Sequence, residues 1–528
     1  MDLIAGSFEE PKAPDGVIDN RSPADLSHLL GRVPFAAAQV ALAVDAARSA
    51  QPGWAATSQG ERVAVIRRLG AALKQHEERL ARAIALDIGK PLWEARTEVA
   101  AAVTKAAITV DEGLSLVRGF VPGPQGPVLL DAALAGGTAA ALPLAETRFR
   151  PLGVLAVLGP FNFPVHLPNG HILPALACGN TVVFKPSETA PHAAEVYARI
   201  LHDAGLPAGV LNLVQGDGRV GAALAADPRV DGVLFTGSWA VGQAIEDATR
   251  GQSKLLALEM GGKNAALVLD DADEDKALYD VLFSAFVSAG QRCTASSRCI
   301  VQGPTARADR FAKRLAALAR ELSIGHPLDD GVFMGPLASE AALRKFEEGV
   351  GAARNGGYPP GVPLPVSELH SQRAEIEVVL APARRSPRGL TGCYSSPGVH
   401  RVHRSARTPY EREELFGPDL AVFSVATDEE AVALANDTAY GLAAGVHTSS
   451  HERFARCLAG LACGIVNHNA PTVGASGRLP FGGLKRSGNH RPAGLWSTLY
   501  CAAPVAILRG GGGLDRSQLA PGVRWVEG

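Results

Sequence analysis

The sequence predicts an α/β protein with a mainly parallel sheet. From residue 151 onward, short apolar runs alternate with helical stretches of about 10–15 residues, a pattern typical of βαβ units. The runs are GVLAVLG, TVVFKPSE, VLNLVQG, VDGVLFTGS, KLLALEMGG and NAALVL. Before them, residues 40–105 read as helical because apolar residues recur at spacings of three, four and seven on one face: Ile66, Leu69, Leu73, Leu80 and Ile84.

Length and composition narrow the class of protein. The chain has 528 residues, which suggests two or three domains; hydrophobic residues make up 47%, charged residues 20%, and the formal net charge is −2. Nucleic acid is therefore not expected as a partner. No signal peptide or membrane span is visible, and the odd number of seven cysteines favours reduced thiols in the cytoplasm. Without CxxC or HExxH spacings, no metal site is indicated.

Two strand ends carry residues suited to a dinucleotide. VLFTGSWAVG, residues 233–242, orders a strand, a turn at Gly237 and Ser238, and a helix start whose N–H groups favour an anion. This is not GxGxxG, and standing alone it would indicate an ordinary βα turn. In VVFKPSE, Lys185 can donate to ribose hydroxyls and Glu188 can accept from them, although both also suit a solvated loop. Glu188 would repel a 2′-phosphate, which favours NAD over NADP.

Three further motifs carry groups suited to carbonyl chemistry. LGPFNFP places Asn162 after the GVLAV strand, where its amide could stabilise an oxyanion. LEMGGKN places Glu259 at a strand end, where desolvation would raise its pKa toward that of a general base. SAGQRCTASSRC places Cys293 among small residues after a helical run. Standing alone, Asn162 would indicate a structural turn asparagine and Glu259 a surface carboxylate.

Together these motifs, in this order, resemble the aldehyde dehydrogenase superfamily over nearly the whole chain. EELFGP at 413–418, NDTAYGLAAGV at 436–446 and LPFGGLKRSG at 479–488 extend the resemblance. It implies that Cys293 is the nucleophile, Glu259 the general base and Asn162 the oxyanion donor. It also places Glu414 at the nicotinamide ribose, with Phe416 beside the cofactor. Cys299 lies outside the motif and is expected to be a small buried residue.

The resemblance also implies an aldehyde dehydrogenase-like fold, with two Rossmann-like parallel α/β domains and a small β flap for oligomerisation. A homodimer or homotetramer follows. The NAD-binding domain would span residues 1–127 and 150–260, the catalytic domain 261–488, and the flap 128–149 and 489–509.

Within the superfamily, several stretches are most similar to the succinylglutamate semialdehyde dehydrogenases of arginine breakdown: 89–101, 150–176 and 487–506. The substrate this implies, N-succinylglutamate 5-semialdehyde, has two carboxylates far from its aldehyde. Arg478 and the backbone N–H groups of Gly474, Ala475 and Ser476 are candidates to bind them. A dehydrogenase for glutamate semialdehyde or aliphatic aldehydes, or an inert NAD-binding homologue, remains the alternative.

Three segments lack a clear pattern. Residues 355–392 are rich in proline and arginine, with only IEVVL resembling a strand, and such a long loop is unusual in a compact domain. An insertion or a local error in the reading frame would explain it. Residues 1–35 are expected to form a loosely held arm, and 510–528 a mobile tail.

Overall fold

The strands are defined in a computed structural model, which describes residues 1–123, 126–130, 145–355, 374–510 and 513–526. In chain order they are β1 (Asp2–Ile4), β2 (Ser7–Glu9), β3 (Gly16–Arg21), β4 (Leu29–Phe35), β5 (Phe120–Val121), β6 (Val128–Leu129), β7 (Ala145–Pro151), β8 (Val154–Leu158), β9 (Thr181–Lys185), β10 (Leu211–Leu213), β11 (Gly232–Gly237), β12 (Leu255–Met260), β13 (Asn264–Val268), β14 (Ser296–Gln302), β15 (Glu375–Leu380), β16 (Arg384–Arg385), β17 (Tyr394–Ser395), β18 (Gly398–Arg404), β19 (Asp419–Val425), β20 (Tyr440–Gly441), β21 (Ala443–His447), β22 (Ile465–His468), β23 (Pro480–Phe481), β24 (Leu484–Lys485), β25 (Ala493–Gly494) and β26 (Ala502–Leu508).

The α-helices are α1 (Ala38–Ala56), α2 (Gln59–Gln75), α3 (Glu77–Ile88), α4 (Leu92–Ala107), α5 (His166–Ala177), α6 (Pro191–Asp203), α7 (Gly218–Ala226), α8 (Trp239–Ala248), α9 (Glu274–Phe286), α10 (Thr305–Arg320), α11 (Glu340–Arg354), α12 (Pro409–Arg412), α13 (Asp428–Asn436), α14 (His451–Gly460) and α15 (Ser497–Tyr500). A π-helical turn, Ile108–Glu112, continues α4, and short 3-10 segments lie at Gly113–Val117, Val287–Gly290, Pro387–Gly389 and Arg516–Gln518. The helical prediction for residues 40–105 is confirmed by α1 to α4. No helix in the described ranges has the length and apolar character needed to cross a membrane.

The first seven-stranded sheet has the order β12-β11-β8-β9-β10-β1-β2, and β8 to β12 are parallel to one another. Both faces are covered. Val154, Ala156 and Leu158 of β8 pack in the core shared with α1, α7 and α8, while Leu155 and Val157 pack against α2 to α6. The chain runs from β8 through β9 to β10 on one side and then crosses to β11 and β12 on the other. A crevice for ligands is expected at such a switch point.

The N-terminal residues do not form the loosely held arm that the sequence suggested. Strand β1 adds antiparallel to β10, and Leu3 is 2% exposed. The Asp2 carboxylate accepts hydrogen bonds from the Gln215 backbone N–H at 2.7 Å and the Gln39 side chain at 3.2 Å. The prediction was wrong because a three-residue strand is held by partners far along the chain, which leave no periodic signal in its own sequence.

The second seven-stranded sheet has the order β15-β18-β19-β14-β13-β21-β22 and is parallel except for β15, which pairs antiparallel with β18. Strand β15 covers the IEVVL run, where the sequence predicted a strand. The rest of the unusual segment lies partly outside the described residues, at 356–373, so its explanation stays a hypothesis. Cys299 lies on β14 and is fully buried, which confirms the prediction for that residue.

A smaller sheet has the order β26-β7-β5-β6. It draws on both segments of the predicted flap, although residues 131–144 lie outside the described ranges. Strand β26 pairs with β7 along its whole length and forms one edge of the sheet. Residues 511–512 and 527–528 of the predicted tail also lie outside the described ranges. The domain, flap and tail boundaries stay predictions.

Candidate active site

Four neighbouring strands of the first sheet end at one edge, where the predicted residues follow them. The parallel register pairs Leu158 with Lys185 and Thr236 with Glu259. Asn162 therefore follows the central strand β8, with Lys185 ending β9 on one side and Ser238 following β11 on the other. Carboxyl ends of parallel strands are the usual ligand-binding edge of such sheets.

Asn162 lies in the loop between β8 and α5 and is 6% exposed. Its side-chain Nδ2 donates a hydrogen bond to the Gln291 backbone carbonyl at 2.9 Å, and the Asn162 backbone carbonyl accepts one from Lys90 Nζ at 2.7 Å. An amide nitrogen carries two hydrogens, so Asn162 can brace the Cys293 loop and still offer a donor.

The loop that carries Cys293 has a strained backbone. Ser288, Ala289 and Gly290 take left-handed φ angles of 55°, 51° and 68° in succession, and a Cβ at Gly290 would lie 2.3 Å from the Gly417 carbonyl oxygen. Such geometry persists only where the surroundings enforce it, and it occurs often at functional sites. The turn leads directly into Cys293, which is partly exposed.

Hydrogen bonds from other segments hold the backbone around Cys293. Asn264 Nδ2 donates to the Cys293 carbonyl at 2.7 Å, and Thr472 Oγ1 donates to the Thr294 carbonyl at 2.7 Å. A Cβ at Gly262 would lie 2.8 Å from the Cys293 carbonyl oxygen, so glycine is required for this close approach. The paired glycines noted in the sequence thus let β12 and its turn pack against the cysteine loop.

Glu259 ends β12 with a buried carboxyl group. Its Oε1 accepts a hydrogen bond from the Ala493 backbone N–H at 3.1 Å, and its buried Oε2 has no hydrogen-bond partner among the described residues. A cavity of about 250 Å³, lined in part by Gly482 and His490, reaches Glu259. Burial raises the pKa of Glu259 well above its usual value, and the Ala493 N–H offsets only part of this effect.

Glu414 and Phe416 lie on the loop before β19. Glu414 Oε1 accepts a hydrogen bond from the Gly262 N–H at 2.9 Å, and a Cβ at Gly261 would lie 2.1 Å from its Oε2. Burial raises the pKa of Glu414 to about 7. The Phe416 ring meets Phe161 edge to face, with centroids 5.8 Å apart. The EELFGP loop therefore contacts both the glycine turn and the loop that carries Asn162.

Burial and nearby negative charge oppose ionisation of the Cys293 thiol, which is only partly exposed. Burial, with smaller contributions from the charges of Glu414 and Glu259, raises its pKa to about 12, and Arg292 and the Thr294 N–H offset this only partly. A reactive thiolate needs the opposite shift, a lowered pKa. A nearby carboxylate that accepts the thiol proton is one way to form it.

The predicted cofactor residues lie at the same sheet edge. Lys185 is 6% exposed, and its Nζ is 3.2 Å from Glu188 Oε2, whose side chain is half exposed. Ser238 caps α8 by accepting from the Val241 N–H at 3.4 Å, and a Cβ at Gly237 would lie 2.4 Å from the Phe235 ring. The N-terminus of α8 offers donors to a phosphate, and the lysine and glutamate offer a donor and an acceptor to a ribose. This set of groups fits a dinucleotide.

The predicted substrate loop is exposed. Gly474, Ala475, Ser476 and Arg478 all lie at the surface, and Arg478 Nε donates to Glu112 Oε1 at 2.7 Å. Thr472 connects the start of this loop to the backbone beside Cys293. The guanidinium is therefore already paired with a carboxylate, and the role of these four residues stays a prediction.

Sequence reasoning missed a group of buried charges behind Asn162 and Cys293. Lys90 pairs with Glu98, and Arg292 pairs with Glu94 at 2.7 Å. The signal that could have identified them is a pair of acidic residues one turn apart within the apolar helix pattern of 92–107. Each partner lies elsewhere in the sequence, so the spacing alone does not reveal the pairs.

Known proteins resemble this chain in sequence over most of its length. The aldehyde dehydrogenase family matches residues 10–361 and 366–503. The N-succinylglutamate 5-semialdehyde dehydrogenase of Pseudomonas fluorescens is 41% identical over 490 residues, 92% of each chain. The enzyme of the same name from Chromobacterium violaceum is 42% identical over 508 residues, 95% of each chain.

Solved structures share the fold. A mutant of aldehyde dehydrogenase C from Pseudomonas syringae, in complex with NAD⁺ and octanal, is 31% identical with a TM-score of 0.83, and the match covers 96% of each chain. Betaine aldehyde dehydrogenase from Staphylococcus aureus, in complex with NAD⁺, is 26% identical with a TM-score of 0.85 over 98% of this chain and 96% of that one. The chain therefore belongs to the aldehyde dehydrogenase family and is an aldehyde-oxidising oxidoreductase.

Proposed function

We propose that the protein oxidises N-succinylglutamate 5-semialdehyde to N-succinylglutamate with NAD as the acceptor, through a covalent intermediate on Cys293. The observation that supports the chemistry is that the Cys293 loop packs against both the Asn162 amide, which donates to the Gln291 carbonyl, and the glycine turn that follows Glu259. The names of the two relatives support the substrate and the pathway, arginine catabolism.

The first step forms a carbon–sulfur bond. The Cys293 thiol gives its proton to a nearby carboxylate, and the thiolate attacks the aldehyde carbon. The carbonyl oxygen becomes an oxyanion, stabilised by the Asn162 amide and the Cys293 backbone N–H, and a thiohemiacetal results. Removing one such donor typically lowers turnover by ~10²–10³-fold.

The second step is oxidation and the third is hydrolysis. NAD, when bound, would supply the hydride acceptor for the thiohemiacetal carbon, and Lys185, Glu188 and Ser238 would hold it. Loss of the hydride leaves a thioester on Cys293. Glu259 then removes a proton from water, the hydroxide adds to the thioester carbon, and the carbon–sulfur bond breaks. The acid is released, and Cys293 recovers its thiol.

We assign the cofactor preference to Glu188, because its carboxylate would repel the 2′-phosphate of NADP. Replacing Glu188 with glutamine is expected to raise the NADP/NAD ratio of kcat/KM by about tenfold, a modest change because the side chain is half exposed to solvent. Steady-state kinetics with both cofactors measure the ratio. Asp247→Asn, an exposed charge of α8, is the matched control and should leave the ratio unchanged. An unchanged ratio in Glu188→Gln would contradict the assignment.

The substrate's distal carboxylates require donors beyond the reacting centre. The N–H groups of Gly474, Ala475 and Ser476 are candidates, together with Arg478. Arg478 already pairs with Glu112. It would bind a substrate carboxylate only if that carboxylate replaced Glu112 as its partner. The backbone N–H groups face no such competition from a side-chain carboxylate in the described residues.

Initial rates of NADH formation test the substrate. We expect kcat/KM for N-succinylglutamate 5-semialdehyde to exceed that for glutamate semialdehyde or propanal by ~100-fold or more, which is about 2.7 kcal/mol of transition-state discrimination. Such a difference needs specific contacts to the distal groups. Comparable rates on all three would instead identify a general aldehyde dehydrogenase.

We also propose a homodimer or homotetramer in the cytoplasm. Strand β26 offers a seven-residue sheet edge, and Leu508 at its end is 84% exposed, which suits pairing with another chain. All seven cysteines are free, as expected of a reducing compartment. Sedimentation velocity distinguishes the dimer from the tetramer.

A further inference from the structure

Helix α4 carries two buried glutamates one turn apart. Glu94 is 0% exposed and Glu98 is 2% exposed. Residues four apart lie on the same face of a helix. Each carboxylate pairs with a cation from another segment, Arg292 and Lys90 respectively. One helix face therefore holds two buried ion pairs.

The Glu98 pair holds the loop that carries Asn162. Lys90 Nζ bonds to Glu98 Oε2 at 2.5 Å and to the Asn162 carbonyl at 2.7 Å. Glu98 Oε1 accepts from the backbone N–H groups of Val165 at 3.0 Å and His166 at 3.1 Å. Glu98 thus binds the C-terminal end of the loop directly and the middle of the loop, at Asn162, through Lys90.

The Glu94 pair holds the loop that carries Cys293. Glu94 Oε1 accepts from Arg292 at 2.7 Å and from the Ser288 hydroxyl, and Arg292 Nε donates to Ser288 Oγ at 2.9 Å. Ser288 is the first left-handed residue of the strained turn before Cys293. Burial opposes ionisation of Glu94, but the charges of Arg292 and Lys90 and these hydrogen bonds hold its pKa below the usual value.

Phe163 connects the two pairs. Lys90 Nζ lies 3.7 Å from the centroid of the Phe163 ring, and the Arg292 guanidinium carbon lies 5.1 Å from it. Phe163 follows Asn162 directly, so the ring of one loop contacts the cations of both pairs. The Asn162 amide adds a direct link by donating to the Gln291 carbonyl, two residues before Cys293.

Buried ion pairs are a poor way to stabilise a fold. The desolvation cost of both charges often equals or exceeds their attraction, and apolar replacements of similar volume are often neutral or stabilising. An oxyanion site has a different requirement, because a donor displaced by 1 Å can lower the rate by about 10²-fold. The location of both pairs, at the backbone of the two donor loops, matches that requirement.

We infer that Glu94 and Glu98 are positioning residues, which fix the Asn162 loop and the Cys293 loop relative to each other and so set the geometry of the oxyanion site. This rests on the proposed function, in which the Asn162 amide and the Cys293 N–H are the two donors. Lys90, Arg292 and Phe163 connect the two glutamates of α4 to these loops.

A double-mutant cycle tests the positioning role of Glu98, by combining changes to the Lys90–Glu98 pair with a change to Asn162. The combined variant Lys90→Met with Glu98→Gln removes both charges together, so neither remains buried alone. We expect kcat to fall by about 10–100-fold while the NAD dissociation constant and the urea midpoint stay near those of the unchanged protein. Asn162→Ala alone should lower kcat by ~10²–10³-fold. With Asn162→Ala already present, the combined variant should lower kcat by less than twofold, because its effect acts through Asn162.

The outcomes distinguish the positioning role of Glu98 from the assignment of Asn162 as an oxyanion donor. Full additivity of the losses would overturn the positioning role and leave the oxyanion assignment standing. An Asn162→Ala variant with normal kcat would overturn the oxyanion assignment, and the positioning role with it. Glu78→Gln, which removes the exposed partner on α3 of Arg96 on α4, is the control and should leave kcat unchanged.

A second variant covers the case in which the combined one does not fold. Lys90→Arg keeps a cation beside Glu98 but moves its donors relative to the Asn162 carbonyl. We expect it to fold and to lower kcat by at least fivefold, again only while Asn162 is present. A kcat equal to that of the unchanged protein would overturn the inference.

Discussion

Replacing Cys293 with alanine is expected to abolish aldehyde oxidation while leaving NAD binding intact. Without the thiolate no thiohemiacetal forms, so kcat should fall on the order of 10⁴-fold or more. The predicted dinucleotide contacts, at Lys185, Glu188 and Ser238, lie on other strand ends and do not depend on the sulfur. Stopped-flow NADH absorbance measures the first quantity and titration calorimetry with NAD the second.

Cys299 provides the matched control for this experiment. It lies six residues further on, fully buried on β14. Cys299→Ala removes the same atom from the same stretch of sequence and should retain turnover. Its cost should appear in the free energy of unfolding instead, because a buried cysteine packs as a small apolar residue. Substantial oxidation by Cys293→Ala would exclude Cys293 as the nucleophile.

The strand ends of the site could be predicted from sequence because they combine two local signals. Asn162, Lys185, Gly237 and Glu259 each follow a short apolar run, and a parallel sheet brings such ends together. The structure indeed places them at one edge. The local sequence pattern was therefore sufficient to predict which residues lie together and at which edge of the sheet.

Features held by distant partners could not be predicted in this way. Strand β1 depends on β10, whose residues lie some two hundred positions away, as the pairing of Leu3 with Leu213 shows. Arg292 binds Glu94 across a sequence separation of 198 residues. The left-handed φ angles of Ser288 and Ala289 are equally invisible, since neither residue type favours that region.

The pKa values of three groups in the site, Cys293, Glu259 and Glu414, are all raised. A thiol with a pKa of about 12 lies under the influence of two buried carboxyl groups, Glu259 and Glu414, whose own pKa values are raised. The charges of Glu414 and Glu259 contribute to the raised pKa of the thiol, whereas burial is the main cause of the raised pKa of each carboxyl group. Burial is also the largest cause for the thiol, so it is the main influence on the protons of this site.

Replacing Glu259 with glutamine is expected to stop the reaction at the thioester. Glu414 is still present to accept the thiol proton, and oxyanion stabilisation and hydride loss use other groups, so one equivalent of NADH should form in a burst. Hydrolysis without the general base should then slow by ~10²–10⁴-fold. Rapid-quench mass spectrometry should show the acyl group on Cys293. Glu452→Gln, an exposed charge of α14, is the control and should show ordinary steady turnover without a trapped acyl group.

The pH dependence of the same step gives an independent check on Glu259. A general base works only when deprotonated, and burial raises the pKa of this carboxyl well above its usual value. The single-turnover rate of thioester hydrolysis should therefore rise with pH through that raised pKa and fall as the pH is lowered below it. In Glu259→Gln the titration and its plateau above the pKa should vanish, leaving a slow rate that simply follows the hydroxide concentration.

If the glutamine variant kept both a fast hydrolysis rate and the same pH profile, the base would have to be another group. Glu414, with a pKa of about 7 and its Oε1 on the Gly262 N–H, would then be the residue to replace.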